Sequence, residues 1–279
     1  MNKEQFKTKM IGAPIIRIFS YPYIKLKHAL CAKKYVNLKE GERIQFFRNR
    51  YKGKRCFIVG NGPSLRMNDL KLLYDNHEIS FGMNHIYDLF LETEWRPEFY
   101  FCFDRDFIRT TYEKIVNLPI NNIFIEYSKT PKNRVSKNNV YYFLSDYVFA
   151  SKRGTAITNY VCEEVDKCCS FVTNTTHLCI EFAIYMGFKE IYLIGMDHDY
   201  SFGYGKNHAE GIKEAEYNDK KLFVTSDMDV STRKFEQYRE YAEEHNIQIY
   251  NASHGGKLEV FKRKDFNSLF LRRIGNENV

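Results

Sequence analysis

Residues 55–65 read RCFIVGNGPSL. Cys56, Phe57, Ile58 and Val59 form an unbroken apolar run, the pattern of a strand covered on both faces in a parallel sheet. Gly60 and Gly62 then permit a tight turn with exposed N–H groups, Pro63 stiffens it, and Ser64 stands where it can cap a following helix. Strand, glycine-rich turn and helix start together make the arrangement that holds phosphate at a helix N-terminus. Asn61 adds an amide that donates and accepts at the strand's carboxyl end. The plainer reading is a tight β-α turn with no ligand.

Working outward, apolar runs at 79–83, 98–103, 122–126, 140–143, 190–194 and 248–250 read as further strands. Helical patterns at 69–74, 85–91, 107–116, 175–186 and 233–245 alternate with them. Residues 200–229 are rich in Gly and Lys with little apolar period and read as a mobile loop or lid. The alternation predicts an α/β, Rossmann-like, doubly wound, mostly parallel sheet. Ligands of such sheets lie beyond the strands' carboxyl ends. Asn61, Asn84, Asp104, Asp197 and Asn251 all fall just past apolar strands, and Gly195 opens the last of the tight turns. One such residue would be ordinary turn chemistry; five make a candidate site.

The totals bound the class. The 279 residues suit one large domain with an appendage. Seven cysteines, an odd number with no zinc spacing, read as reduced thiols of a cytosolic protein. The net charge of +7 conceals an asymmetry: residues 1–55 carry 15 Lys and Arg against 3 Glu. Ile15, Ile16, Phe19 and Tyr23 accompany those charges. The stretch around them is broken by Pro14, Arg17 and Pro22 and is too short to span a bilayer. Residues 1–53 therefore read as a basic leader lying on the inner face of the plasma membrane through anionic lipid, with 54–279 as the catalytic domain and the lid at about 200–229. Nucleic acid is the rival partner for a basic arm and is not expected here. A homo-oligomer is left open.

The motifs FIVGNGPSL, Asn84 after the second strand, and AIYMGFKEIYLIGMD resemble those of the CMP-sialic-acid-dependent lipooligosaccharide sialyltransferases. With NASHGGKLEVFKRKDF they resemble more strongly a group that includes the motility accessory factor glycosyltransferases and the 6-hydroxymethylpterin diphosphokinases. The likeness covers roughly residues 54–266. It implies a transferase that uses a CMP-sugar donor. Gly60, Asn61, Gly62, Ser64, Asn84, Asp104, Thr175, Thr176, Gly195 and Asp197 would form the nucleotide site, with Tyr200 or Tyr204 on the leaving phosphate. The sialyltransferases place a general-base His in the lid; that position falls near Asp229 here, and the nearest lid histidine is His208.

His208, in a Gly-flanked loop, is the first candidate base, His198 at a strand end the second, and His254 a third. His177, inside an apolar helix, reads as a core histidine. The DxD patterns at Asp104–Asp106 and Asp197–Asp199 could hold Mg²⁺ against a diphosphate, but no metal site is assigned and Mg²⁺ is admitted rather than required. The expected function is inverting transfer of a sugar, a nonulosonic acid from a CMP-linked donor, to a surface glycan or its lipid-linked precursor. The alternatives are a Mg²⁺-dependent pyrophosphokinase and a non-catalytic nucleotide- or glycan-binding subunit.

Overall fold

The computed structural model describes residues 26, 29–146, 161–170, 172–199, 207–212 and 228–271. Eight strands form one sheet in the order β5-β4-β3-β2-β1-β6-β7-β8, every neighbouring pair parallel. They are β1 (Arg55–Val59), β2 (Ser80–Met83), β3 (Phe99–Cys102), β4 (Asn122–Glu126), β5 (Val140–Phe143), β6 (Glu190–Ile194), β7 (Gln248–Asn251) and β8 (Lys262–Arg263). The chain lays β1 to β5 outward to one edge, then returns and lays β6 to β8 on the other side of β1. The winding direction reverses between β1 and β6. The expected doubly wound, Rossmann-like α/β sheet is thus present.

The helices are α1 (residues 29–37), α2 (Glu40–Gln45), α3 (Met67–Asp75), α4 (Arg105–Ile115), α5 (Thr175–Tyr185) and α6 (Met228–Glu244). Strand period two divides the core. Cys56, Ile58, Phe81, Phe99, Phe101 and Phe124 face α5 in one cluster. Phe57, Val59, Tyr100, Cys102, Ile123 and Ile125 face α3 and α4 in the other. The phenylalanines of the first cluster interlock: Phe101 stacks on Phe124 at 4.7 Å, and Phe182 of α5 meets Phe124 edge-on at 5.1 Å. Every residue of α5 is buried, so its sequence carries no polar stripe. Glu181 of α5 accepts hydrogen bonds from the Ser170 and Cys162 backbone N–H groups and from Tyr238 of α6, and pairs with the buried Lys234 at 3.8 Å. Burial pushes the Glu181 carboxyl up and the Lys234 ammonium down.

Several expectations are corrected by packing. Part of the stretch expected to be a separate leader belongs to the body. Tyr35, Ile44 and Phe47 are buried, and Arg43 donates to the backbone oxygens of Val140, Lys137 and Asn138 beside β5. The short helix expected at 85–91 is a 3-10 helix, Asn84–Leu91. The middle of the expected mobile lid is docked: Ala209 and Ile212 are buried, and the Ala209 N–H donates to the Asn61 carbonyl at 2.8 Å. All seven cysteines are free thiols.

Candidate functional site

Register builds the site. Five consecutive pairs, from Arg55 with Glu190 to Val59 with Ile194, bring β1 and β6 to an end at the same level. The turns that follow, Gly60-Asn61-Gly62 and Gly195-Met196-Asp197, therefore leave the sheet side by side at the switch point. A cleft of about 150 Å³ opens between them, walled also by the end of β2, the start of α5 and residues 207–208. It is lined by Gly60, Asn61, Gly62, Asn84, Thr175, Thr176, Gly195, Asp197, His198 and His208, all expected from the sequence.

The glycines serve the contact between the two turns. A Cβ on Gly62 would lie 2.0 Å from Asp197 Oδ2 and 2.7 Å from the Gly195 carbonyl oxygen; one on Gly60 would lie 2.5 Å from that oxygen. Several N–H groups of the first turn are already used: Gly60 donates to Ile194 O, Gly62 to Gly195 O, and Leu65 to Gly62 O. Ser64 donates from its N–H and its hydroxyl to Asp197 Oδ2, at 3.1 and 2.9 Å. Two of the donors expected to cradle phosphate at this turn, the Gly60 and Gly62 N–H groups, are thus given to β6 and the turn after it. Ser64 is no helix cap. It is a strut to Asp197, and α3 starts beyond it with Arg66 at the cap position, whose N–H donates to Asp69.

What remains open in the cleft is mostly amide and hydroxyl. Asn61 Nδ2 donates to Met83 O at 3.2 Å, which fixes the amide's orientation. Its Oδ1 is buried without a partner among the described residues, an acceptor open to a donor. Asn84 has a left-handed backbone (φ 47°), its carbonyl accepting from Tyr100 Oη at 2.6 Å and its amide meeting Thr175 Oγ1 at 3.2 Å. Thr176 donates to Met196 Sδ at 3.3 Å. Thr175 and Thr176 open α5, whose N-terminal end carries the positive pole of the helix dipole.

The first two candidate bases, His208 in its loop and His198 at a strand end, both line the cleft. His198 Nε2 lies 2.9 Å from Thr232 Oγ1, and that hydroxyl donates to Met228 O. The Thr232 oxygen must therefore accept, so Nε2 carries the proton and Nδ1 the lone pair. Burial pushes the His198 pKa below its ordinary value, leaving a neutral imidazole at pH 7. His254 is held elsewhere, 2.8 Å from Asp69 Oδ1. His177 is a core histidine, edge-on to Phe235 at 4.4 Å.

Two expected members stand apart. Asp104 caps α4, accepting from the Phe107 N–H at 2.8 Å. It follows β3, two strands from the switch point, and does not line the cleft. Asn251 is locked in its own turn through Leu258 O and the Ser253 N–H. Tyr200 and Tyr204 lie outside the described residues. The cleft is also lined by Asp199, of the DxD pattern, and by Asn174 and Asn207, which the sequence reading missed. Asn174 is the N-cap of α5, accepting from the His177 N–H, a signal readable before a buried helix. Asp199 pairs with Lys257 at 2.8 Å. Among the described residues no three His, Cys, Asp or Glu side chains converge as a metal site would require, and Asp104 and Asp197 do not share a cavity.

Comparison with known proteins follows the same lines. No curated protein matches. Among solved structures, the MAf glycosyltransferase from Magnetospirillum magneticum AMB-1 is similar, with 16% identity and a TM-score of 0.49. The match covers 83% of this chain and 38% of that one, so the chain spans well under half of that enzyme's length. The family described as 6-hydroxymethylpterin diphosphokinase MptE-like matches residues 32–203, more than half of the chain, with both turns of the cleft inside the match. The chain belongs to the MptE-like family.

Proposed function

We propose that the protein is a glycosyltransferase that takes a sugar, a nonulosonic acid, from a CMP-linked donor and gives it, with inversion, to a surface glycan or its lipid-linked precursor. The observation that carries this reading is the cleft's lining. Asn61, with its unpartnered Oδ1, and Asn84 supply neutral hydrogen-bonding groups suited to a base and ribose. Asp197 and Asp199 are both engaged, by Ser64 and Lys257. A nucleoside monophosphate needs little charge neutralisation as a leaving group, and the α5 N-terminus with Thr175 and Thr176 suits it. The acceptor hydroxyl forms its bond to the anomeric carbon as the carbon–oxygen bond to the phosphate breaks. The proton goes to His208 or to His198 through Nδ1, and the electron pair leaves on CMP. No metal is required. Tyr200 is retained as the group beside the leaving phosphate.

Peripheral membrane attachment belongs to the same reading. No helix among the described residues is long and apolar enough to cross a membrane. Leu26, Leu30, Val36, Leu38 and Phe46 are exposed in the basic N-terminal region, the mixture that favours an anionic lipid surface.

The second reading, pyrophosphoryl transfer, is favoured by the family's description. The separation of Asp104 from Asp197 weighs against it, because the described residues do not assemble a Mg²⁺ site. Thermal shift with CMP, CDP, UDP, GDP and ATP, each with and without Mg²⁺, separates the two. CMP should stabilise wild type without Mg²⁺, and Asn61→Ala should weaken that binding by about 1–3 kcal/mol, the cost of a lost polar partner. Stabilisation by ATP with Mg²⁺ alone would replace the first reading with the second.

A further inference from the structure

A second cavity opens at the carboxyl ends of β3 and β4, about 10 Å along the sheet rim from the cleft. Arg105, Arg109, Lys129 and Lys132 line it together with Ser128 and Thr130, and no carboxylate does. The nearby acids are accounted for or lie outside it. Asp104 caps α4. Asp106 sits in the first turn of α4, exposed. Glu126 is buried and accepts from the Ser128 hydroxyl at 2.7 Å and from Ser145.

The cations of this region divide into two kinds. Arg134 lies over the Tyr127 ring at 4.1 Å, and Lys137 donates to Val116 O at 2.9 Å; both hold the 128–139 segment in place. Lys129 is anchored to Phe103 O at 2.7 Å, and burial pushes its ammonium down to about 8. The side chains of Arg105, Arg109 and Lys132 make no hydrogen bond or ion pair among the described residues. Arg105 is moreover the first residue of α4, and Arg109 stands one turn further on the same face. That is the positive end of the helix, where cations are unfavourable and an anion is stabilising.

We propose that this groove binds a phosphate group of the second substrate, with Arg105 and Arg109 supplying the guanidinium forks and Lys132 a mobile point charge. The substrate is a phosphate-bearing acceptor, soluble or borne on a lipid. Its being the acceptor rests on the transfer reading above; phosphate binding itself does not.

The test titrates the full-length protein with inorganic pyrophosphate at low salt and, in parallel, sediments it with phosphatidylcholine vesicles containing phosphatidylglycerol. Arg105, Arg109 and Lys132 are exposed, so the triple alanine variant should keep the wild-type melting temperature. It should lose at least about tenfold in pyrophosphate affinity. Asn61→Ala should lose nucleotide but not pyrophosphate, which keeps failure of the cleft reading distinct from failure of this one. A control triple, Arg239→Ala, Lys262→Ala and Lys264→Ala, removes equal charge from exposed positions elsewhere and should change pyrophosphate affinity little. Loss confined to pyrophosphate assigns a soluble phosphate, and loss on the vesicles assigns a lipid-borne one. Unchanged affinity in both arms, or an equal loss in the control, overturns the proposal.

Discussion

Replacing Gly62 with alanine tests whether the two turns of the cleft are one structural unit. The new Cβ would lie 2.0 Å from Asp197 Oδ2 and 2.7 Å from Gly195 O. The carboxylate can swing aside, but it then gives up both bonds from Ser64. The Gly195 carbonyl is backbone, hydrogen-bonded to the Gly62 N–H itself, and cannot move without separating the turns. Overpacking costs about 1–3 kcal/mol, and loss of hydrogen bonds to a charged group about 1.5–3 kcal/mol. The expected destabilisation is about 3–5 kcal/mol. Gly53→Ala is the comparison: its φ is +80° with nothing within 4 Å of a new Cβ, so it carries only the left-handed penalty of about 1–2 kcal/mol. Urea unfolding of the two variants measures the difference. Equal destabilisation of Gly62→Ala and Gly53→Ala would refute the reasoning, since contact with the β6 turn would then contribute nothing.

Three further outcomes are expected. Glu181→Leu alone should cost about 3–5 kcal/mol by stranding Lys234 in the core; combined with Lys234→Met it should cost clearly less than the sum, and additive losses in the double-mutant cycle would deny the coupling. Burial holds His177 neutral, its pKa well below the ordinary value. The unfolded chain therefore takes up a proton below about pH 6.5 that the folded one refuses, and stability falls with falling pH. Relative to wild type, His177→Leu should gain by up to about 1.4 kcal/mol per pH unit below that point; Glu126 and Glu181 titrate alike in both proteins, and parallel curves from pH 8 to 5.5 would contradict the assignment. A chain beginning at Ala29 keeps Tyr35, Ile44 and Phe47 in the core but lacks six of the thirteen Lys and Arg of residues 1–53, together with Ile15, Ile16, Phe19 and Tyr23, and should show weakened salt-sensitive sedimentation with anionic vesicles. Each basic residue near such a surface contributes about 1 kcal/mol, so undiminished binding would remove the leader from the account.

Much of the fold was legible because a parallel sheet buries its strands on both faces. The apolar runs at β4, β5 and β6 carry their own boundaries, and the cleft residues Asn61, Asn84 and Asp197 follow from ending such runs. Asp104 ends one too, yet β3 lies two places from the switch point, and strand order is not written in any single segment. Ser64 was misjudged because a glycine turn beside a free helix and one beside a second turn look alike in sequence; only the neighbour at Asp197 tells them apart. The docking of residues 207–212 escaped notice because Ala209 and Ile212 are isolated apolar residues in a polar stretch, with no period to reveal them. β8 consists of two charged, exposed residues, Lys262 and Arg263, with no apolar run to reveal it.

The complete enclosure of α5 bears on how the cleft would change shape during turnover. A helix wedged between sheet and α6, with Glu181 fixed by donors from three directions, cannot shift at one end without opening the interior. Thr175 and Thr176 therefore form an anvil, set when the chain folds and indifferent to what is bound. Residues 207–212 form the opposite jaw, attached to the glycine turn at Asn61 by the Ala209 N–H. The cost of orienting groups at the α5 side is met before any ligand arrives. Adaptation to different substrates is left to the jaw, so altered specificity should be sought by varying residues 207–212 while α5 is left intact.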